Sequence, residues 1–167
     1  MRPDEAMAEQ VQAQVGVGDV EAGGRAWRFR HVSIGNPQCA IAVGSLPELE
    51  ALDLPAIGPE IEHSVLFPNR TNVSWFAALP DRPSAIRARI FERGVGETTA
   101  SGTGACGAAV AHVLQGGASP TTVVLDGGEL EVEVGDDLRV HLTGWAVPVY
   151  AGELSDADRV FAQGLGE

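Results

Sequence analysis

The sequence predicts an α+β domain in which a mixed or antiparallel sheet wraps around one central apolar helix. Three observations carry this expectation. Short strand-like stretches recur along the chain, separated by Gly, Asp and Pro turns. One helix-length run over residues 104–115 is apolar on nearly every side, interrupted only by His112 and Gln115. A helix of that kind belongs inside a sheet rather than on a surface. Hydrophobic residues make up 44% of the 167 in the chain, enough for a substantial core.

The elements follow in order. Residues 1–19 read as an N-terminal extension of weak pattern. Asp4–Gln14 fits a short helix broken at Gly16 and Gly18, and Val11, Val15 and Val17 fit an edge strand equally well. Gly23-Gly24 is a tight turn, and Trp27-Arg28-Phe29-Arg30-His31-Val32 alternates as a half-buried strand. Gly35-Asn36-Pro37 punctuates, and Cys39-Ala40-Ile41-Ala42-Val43 reads as a fully buried strand. Leu46 to Leu54 is expected to be a short helix capped by Ser45, and Ile57–Ile61 another helical turn. Thr71–Leu79 and Ala85–Phe91 are strands, expected to be antiparallel neighbours, the second with its arginines facing away from the core. The central helix follows, roughly three turns long, and ends at Gly116-Gly117. Thr121–Leu125, Glu129–Val134, Leu138–Leu142 and Val147–Gly152 read as four short strands, with hairpin signals at Asp126-Gly127-Gly128 and Gly135-Asp136-Asp137. The domain is expected over 20–153, with 154–167 as a tail that forms a frayed helix after Ser155.

Charge and cysteine content exclude several functions. The net charge is −12, and all 11 basic residues are Arg. Such a chain repels nucleic acid and anionic membranes in bulk, so any anion it binds is met by local donors. Two cysteines, Cys39 and Cys106, are too few for a disulfide framework and read as buried thiols. No segment is apolar enough to span a bilayer, and the N-terminus lacks the apolar core of a signal peptide, so a cytoplasmic location is expected.

The sharpest local signal is Ser101-Gly102-Thr103-Gly104, directly before the apolar helix. Glycines let a backbone turn present its N–H groups in one direction, and the start of a helix adds its positive end. That geometry captures a carboxylate or phosphate. It is equally the chemistry of a helix cap, and the two roles are compatible. The Gly-Lys-Ser/Thr ending of a nucleotide-binding loop is absent. A Gly-x-Ser-x-Gly elbow is excluded because Thr99 stands two places before Ser101. His31, His63, His112 and His141 are scattered, so their spacing nominates neither a base nor a zinc site. The chain has three asparagines, Asn36, Asn69 and Asn72, in two short motifs. Asn donates and accepts without charge, which suits an amino-acid zwitterion, but Asn is also an ordinary turn residue. Glu92-Arg93 reads either as a structural ion pair or as partners for a ligand ammonium and carboxylate.

Together these motifs resemble a known family. Gly35-Asn36-Pro37-x-Cys39, Gly58-Pro59-Glu60-Ile61-Glu62-His63, Leu66-Phe67-Pro68-Asn69-Arg70-Thr71-Asn72-Val73, Glu92-Arg93-Gly94-x-Gly96-Glu97-Thr98 and Ser101-Gly102-Thr103-Gly104-Ala105-Cys106 look like diaminopimelate epimerase. Gly127-Gly128-x-Leu130 and Thr143-Gly144 also fit. The resemblance covers about residues 20–153 and corresponds to the C-terminal half of the family's chain. It implies two-base proton transfer at an amino acid's α-carbon, using two cysteines and neither pyridoxal phosphate nor metal, so no cofactor is expected. It implies that Asn36, Asn72, Glu92 and Arg93 contact the substrate. Gly102 and Thr103 would give backbone N–H groups to its carboxylate, an oxyanion-hole type of stabilisation.

Two departures qualify this. The family's catalytic cysteine falls on Ser101, and a hydroxyl is far less acidic than a thiol, whose reference pKa is about 8.5. The Cys-Gly-Asn-Gly-like turn of the family's N-terminal half does not occur in this sequence. Position 38 is Gln where many members have His, and Cys106 matches the family's second, structural cysteine of this motif. The expectation is therefore a diaminopimelate-epimerase-like domain, inactive by itself, that works opposite an N-terminal lobe. The alternatives are a non-catalytic amino-acid-binding module that self-associates through the inter-lobe face, or an epimerase or isomerase of another amino acid.

Overall fold

The computed structural model describes residues 7–153, and the side chains from residue 13 onward. Ten strands form one mixed sheet in the order β1-β10-β9-β8-β6-β5-β4-β3-β2, with β7 paired to β6. The strands are β1 (Met7–Gln12), β2 (Gln14–Ala22), β3 (Arg25–Ser33), β4 (Pro37–Ala42), β5 (Asn72–Ala78), β6 (Ala85–Glu92), β7 (Gly96–Thr98), β8 (Thr121–Leu125), β9 (Gly128–Val134) and β10 (Arg139–Gly144). The helices are α1 (Leu46–Glu50), α2 (Leu54–Glu62) and α3 (Gly102–Val113). β1 and β2 stand at opposite ends of the sheet order, yet only Ala13 separates them. The two ends of the sheet therefore meet at residue 13, and the sheet closes around α3.

This closure decides between the two alternatives for the N-terminal segment in favour of the strand. Residues 7–12 pair antiparallel with β10, from Met7 opposite Gly144 to Gln12 opposite Arg139. They form a strand and not a helix, because the open edge of β10 supplies hydrogen-bond partners along their whole length. Residues 14–19, read as extension, belong to β2, which pairs with β3 along its whole length.

Period-two alternation explains the layers. β4∥β5 and β6∥β8 are parallel, the rest antiparallel. The inner faces of the strands carry Val32, Ala40, Phe76, Ile86, Ile90, Val123 and Val132 against α3. The outer faces of β3–β6 carry Trp27, Phe29, Cys39, Ile41, Trp75 and Phe91 under α1 and α2. Cys39 and Cys106 fall in different layers, are buried and form no disulfide. α3 is buried from Gly104 to Ala111, as an all-apolar helix made of Gly, Ala, Cys and Val requires.

Other elements differ in detail. The expected 46–54 helix stops at Glu50, because Asp53 caps a new one by accepting the Ala56 N–H at 3.2 Å. Ser45 caps α1 as expected, accepting from Glu48 N. Arg87 and Arg89 face away from α3 but are not solvated. Arg89 Nη1 donates to Leu49 O and Leu52 O at 3.0 and 2.9 Å, satisfying carbonyls at the end of α1. Arg87 is ion-paired with Glu50 and Asp126. Val147–Gly152 is not a strand, and Val147, Val149 and Tyr150 are exposed. Both edges of β10 are already taken by β9 and β1, and Pro148 removes a donor. The frayed helix expected after Ser155 lies outside the described residues. Among those described, no helix is long and apolar enough to cross a membrane.

Candidate functional site

The start of α3 is built as the sequence suggests. Ser101 has extended backbone (φ −152°, ψ 114°) and its Oγ accepts the Gly104 N–H at 3.3 Å. Ala105 N donates to Ser101 O, the first intrahelical bond. The N–H groups of Gly102 and Thr103 have no protein acceptor among the described residues. Two unengaged amides at a helix's positive end have the geometry and partial charge that suit an anion. Gly104 is needed for this approach, since a Cβ there would lie 2.7 Å from Ile90 Cδ1. The Thr99–Ala100 stretch before it is held by Gly127 N donating to Thr99 O at 2.6 Å.

Other segments join this helix start through side-chain amides. Asn36 Nδ2, in the β3–β4 turn, donates to Thr103 Oγ1 at 3.2 Å. Gln38 Nε2 donates to Asn36 Oδ1 at 2.8 Å. Gln38 is 0% exposed, lies across Gly107 of α3 and leaves its Oε1 without a partner. Asn72, at the start of β5, donates to Pro37 O at 3.3 Å and accepts Arg93 N–H at 2.8 Å. Arg93 Nη1 donates to Asn69 O at 3.0 Å. Glu92 is not paired with Arg93, since its Oε1 accepts from Thr98 Oγ1 at 3.3 Å. The structure thus ties Asn36 to Thr103 and Asn72 to Arg93, and Pro37 links the two pairs. A cavity of about 350 Å³ adjoins Asn36, bordered by His31, Ser33, Asn69 and Arg70.

No basic side chain hydrogen-bonds Ser101 among the described residues. His112 lies in the last turn of α3, and His63 Nδ1 sits 2.9 Å from Pro59 O. Burial pushes the Cys39 thiol far above its ordinary range, so it holds its proton.

The motif-based reading quoted Glu62 within Gly58–His63 but gave it no role. Its carboxylate is buried and accepts the Gly94 N–H at 2.9 Å. The signal was available: Leu54, Gly58, Ile61 and Glu62 occupy the buried face of α2 at helical spacing, and a carboxylate there needs a reason.

A sheet closed around one apolar helix, with the helix's open N-terminus at an asparagine-lined edge, defines the class of epimerase-like α+β domains. A solved structure described as a predicted epimerase from Pseudomonas aeruginosa is similar in fold, with a TM-score of 0.55 at 16% identity, covering 86% of this chain and 59% of that one. The diaminopimelate epimerase family model matches residues 30–149. Diaminopimelate epimerases of Synechococcus sp. (strain JA-3-3Ab) and Magnetococcus marinus are each 44% identical, over 82% and 81% of this chain. The chain belongs to the diaminopimelate epimerase family. It spans about half the length of these relatives, 48% and 47%.

Proposed function

We propose that this domain is the carboxylate-holding lobe of a cofactor-independent epimerase of the diaminopimelate type, acting in the cytoplasm in lysine and cell-wall precursor synthesis. The reaction would interconvert LL- and meso-diaminopimelate by removing the α-proton on one face and returning one on the other. The observation that supports this most is the pair of unengaged N–H groups at Gly102 and Thr103. They would donate to the substrate's α-carboxylate and stabilise the negative charge that spreads onto it as the α-proton leaves. Asn36 would orient Thr103, while Arg93 and Glu92 would meet charged groups of the amino acid.

Ser101 stands where the family carries a thiol. Its oxygen already caps α3, and among the described residues no base hydrogen-bonds it. A neutral hydroxyl is a poor acceptor for a carbon-bound proton. The chain by itself is therefore expected to bind without catalysing. In deuterated water, neither the wild-type chain nor Ser101→Cys should exchange the α-hydrogen of diaminopimelate, while meso-diaminopimelate should shift the Gly102 and Thr103 amide signals. Robust exchange by the purified chain overturns this base assignment. Unshifted amides at saturating amino acid overturn the carboxylate cradle.

A non-catalytic, self-associating module is favoured by a different observation. Val65 is 95% exposed, and Leu66 and Val95 are also exposed. Leu66 borders the same cavity as Asn36 and Asn69, and Val95 lies two residues beyond Arg93, so exposed apolar side chains sit beside the polar site. An N-terminal lobe or a second copy would cover them.

A further inference from the structure

We propose that Glu62 is a positioning residue for Arg93, acting through the Gly94 amide; this rests on the amino-acid site described above. The motif Gly58-Pro59-Glu60-Ile61-Glu62-His63 supplies no residue to the cradle, yet it is built closely against the turn that carries Arg93. Gly58 lets α2 lie on the aromatic ring of Phe91, since a Cβ at 58 would be 2.5 Å from ring carbons. That contact sets the end of α2 beneath the end of β6. Glu62, 3% exposed, then reaches the turn, and its Oε1 accepts Gly94 N–H at 2.9 Å. The same oxygen lies 3.5 Å from Arg70 Nη1.

The peptide planes on both sides of Arg93 are consequently fixed from different elements. Asn72 of β5 holds the N–H of Arg93, and Glu62 of α2 holds that of Gly94. Val95 N–H closes the turn on Glu92 O at 3.0 Å, with Gly94 at φ +75°. The guanidinium is exposed and donates from Nη1 to Asn69 O at 3.0 Å, so the order of the residue comes from its backbone. Burying a carboxylate is costly unless strong partners repay it. An apolar residue could be buried at the end of α2 without that cost, but it would leave the Gly94 amide free. The charge is retained where it orders a turn, and an ordered Arg loses less freedom on gripping a carboxylate.

Amide exchange of isotope-labelled full chain tests this directly. Glu62→Asp, one methylene short, should accelerate exchange at Gly94 roughly tenfold or more, whereas Glu62→Gln, which keeps an accepting oxygen in place, should restore protection. Titration with meso-diaminopimelate should show roughly tenfold weaker binding for Glu62→Asp, and no further loss when that change is added to Arg93→Ala. Unchanged Gly94 exchange in a folded Glu62→Asp chain overturns the proposal, as does full additivity with Arg93→Ala. Should Glu62→Asp fail to fold, the wild type decides. Scalar coupling across the hydrogen bond, from the Gly94 nitrogen to the Glu62 carboxyl carbon, supports the clamp, and its absence overturns it. If the wild-type chain binds no amino acid, the reading of the site falls, and the Gly94 measurements still decide the role of Glu62.

Discussion

Ser101 and His112 mark the two ends of α3, and each shows which force wins at a single residue. At Ser101 the hydroxyl oxygen is committed to the Gly104 N–H, a cap worth about 1 kcal/mol. The cap leaves the next two amides open, so stability and anion capture coexist at one turn. At the other end, the helix dipole favours a protonated His112. Burial opposes it: Nε2 has no hydrogen-bond partner, the ring meets Phe76 edge-on, and a Cβ on Gly117 would fall 2.2 Å from Nε2. Desolvation dominates and lowers the His112 pKa below the ordinary value of about 6.5. The unfolded chain then binds this proton more readily than the native one. Stability should therefore rise with pH from the depressed native pKa up to about 6.5 and gain nothing from this group above that. Urea melts of wild type and His112→Gln at pH values across this window check it. The wild type should show the steeper rise, and equal slopes would remove the role given to burial.

At the scale of elements, glycines decide which surfaces touch. Gly58 seats Phe91 against α2, Gly107 seats Gln38 against α3, and Gly104 seats Ile90 against the helix start. In each case the missing side chain brings a site segment to its support. Gly58→Ala forces its methyl group into the buried Phe91 ring and should cost about 1–3 kcal/mol. A shift in denaturation midpoint at unchanged slope measures that cost, and exchange at Gly94 should accelerate in the same variant as α2 moves away. A neutral outcome in both would mean that α2 and the turn are not coupled. Arg89 shows the same economy between elements, closing the carbonyl end of α1 while also pairing with Glu97 of β7.

For the whole molecule, the governing fact is a closed sheet with exposed apolar side chains beside its polar site. Val65, Leu66 and Val95 lie beside Asn69 and Arg93, and Trp145, Val147, Val149 and Tyr150 are also exposed. Exposed apolar groups in such number favour association over solvation. The purified chain should show a scattering mass that rises with concentration, and Leu66→Asp with Val95→Asp should suppress that rise. A monodisperse monomer at every concentration would leave these side chains without a partner among copies of this chain. The net charge of −12 opposes association at low salt, so the effect should strengthen as salt is added.

Much of this was legible in the sequence because it is local physics. The apolar run of α3, its glycine-rich start, the Ser45 and Ser101 caps and the alternation of β3, β5 and β6 depend on neighbours within a few residues. Asn36, Asn72, Glu92, Arg93, Gly102 and Thr103 were visible as motifs, but local chemistry left each open between a structural and a binding role, and only the family resemblance gave them substrate contacts. What the chain alone left open depends on partners far along it. Residues 7–12 became a strand because β10 had a free edge, and Val147–Gly152 did not because that edge was then filled. Arg87 and Arg89, expected only to face away from the core, became anchors once α1 packed over β6. Glu62 acquired its work when folding brought Gly94, 32 residues away, to within hydrogen-bond reach. Short-range sterics and periodicity fix the elements; edge pairing and the desolvation of charges, both long-range, decide how they are used.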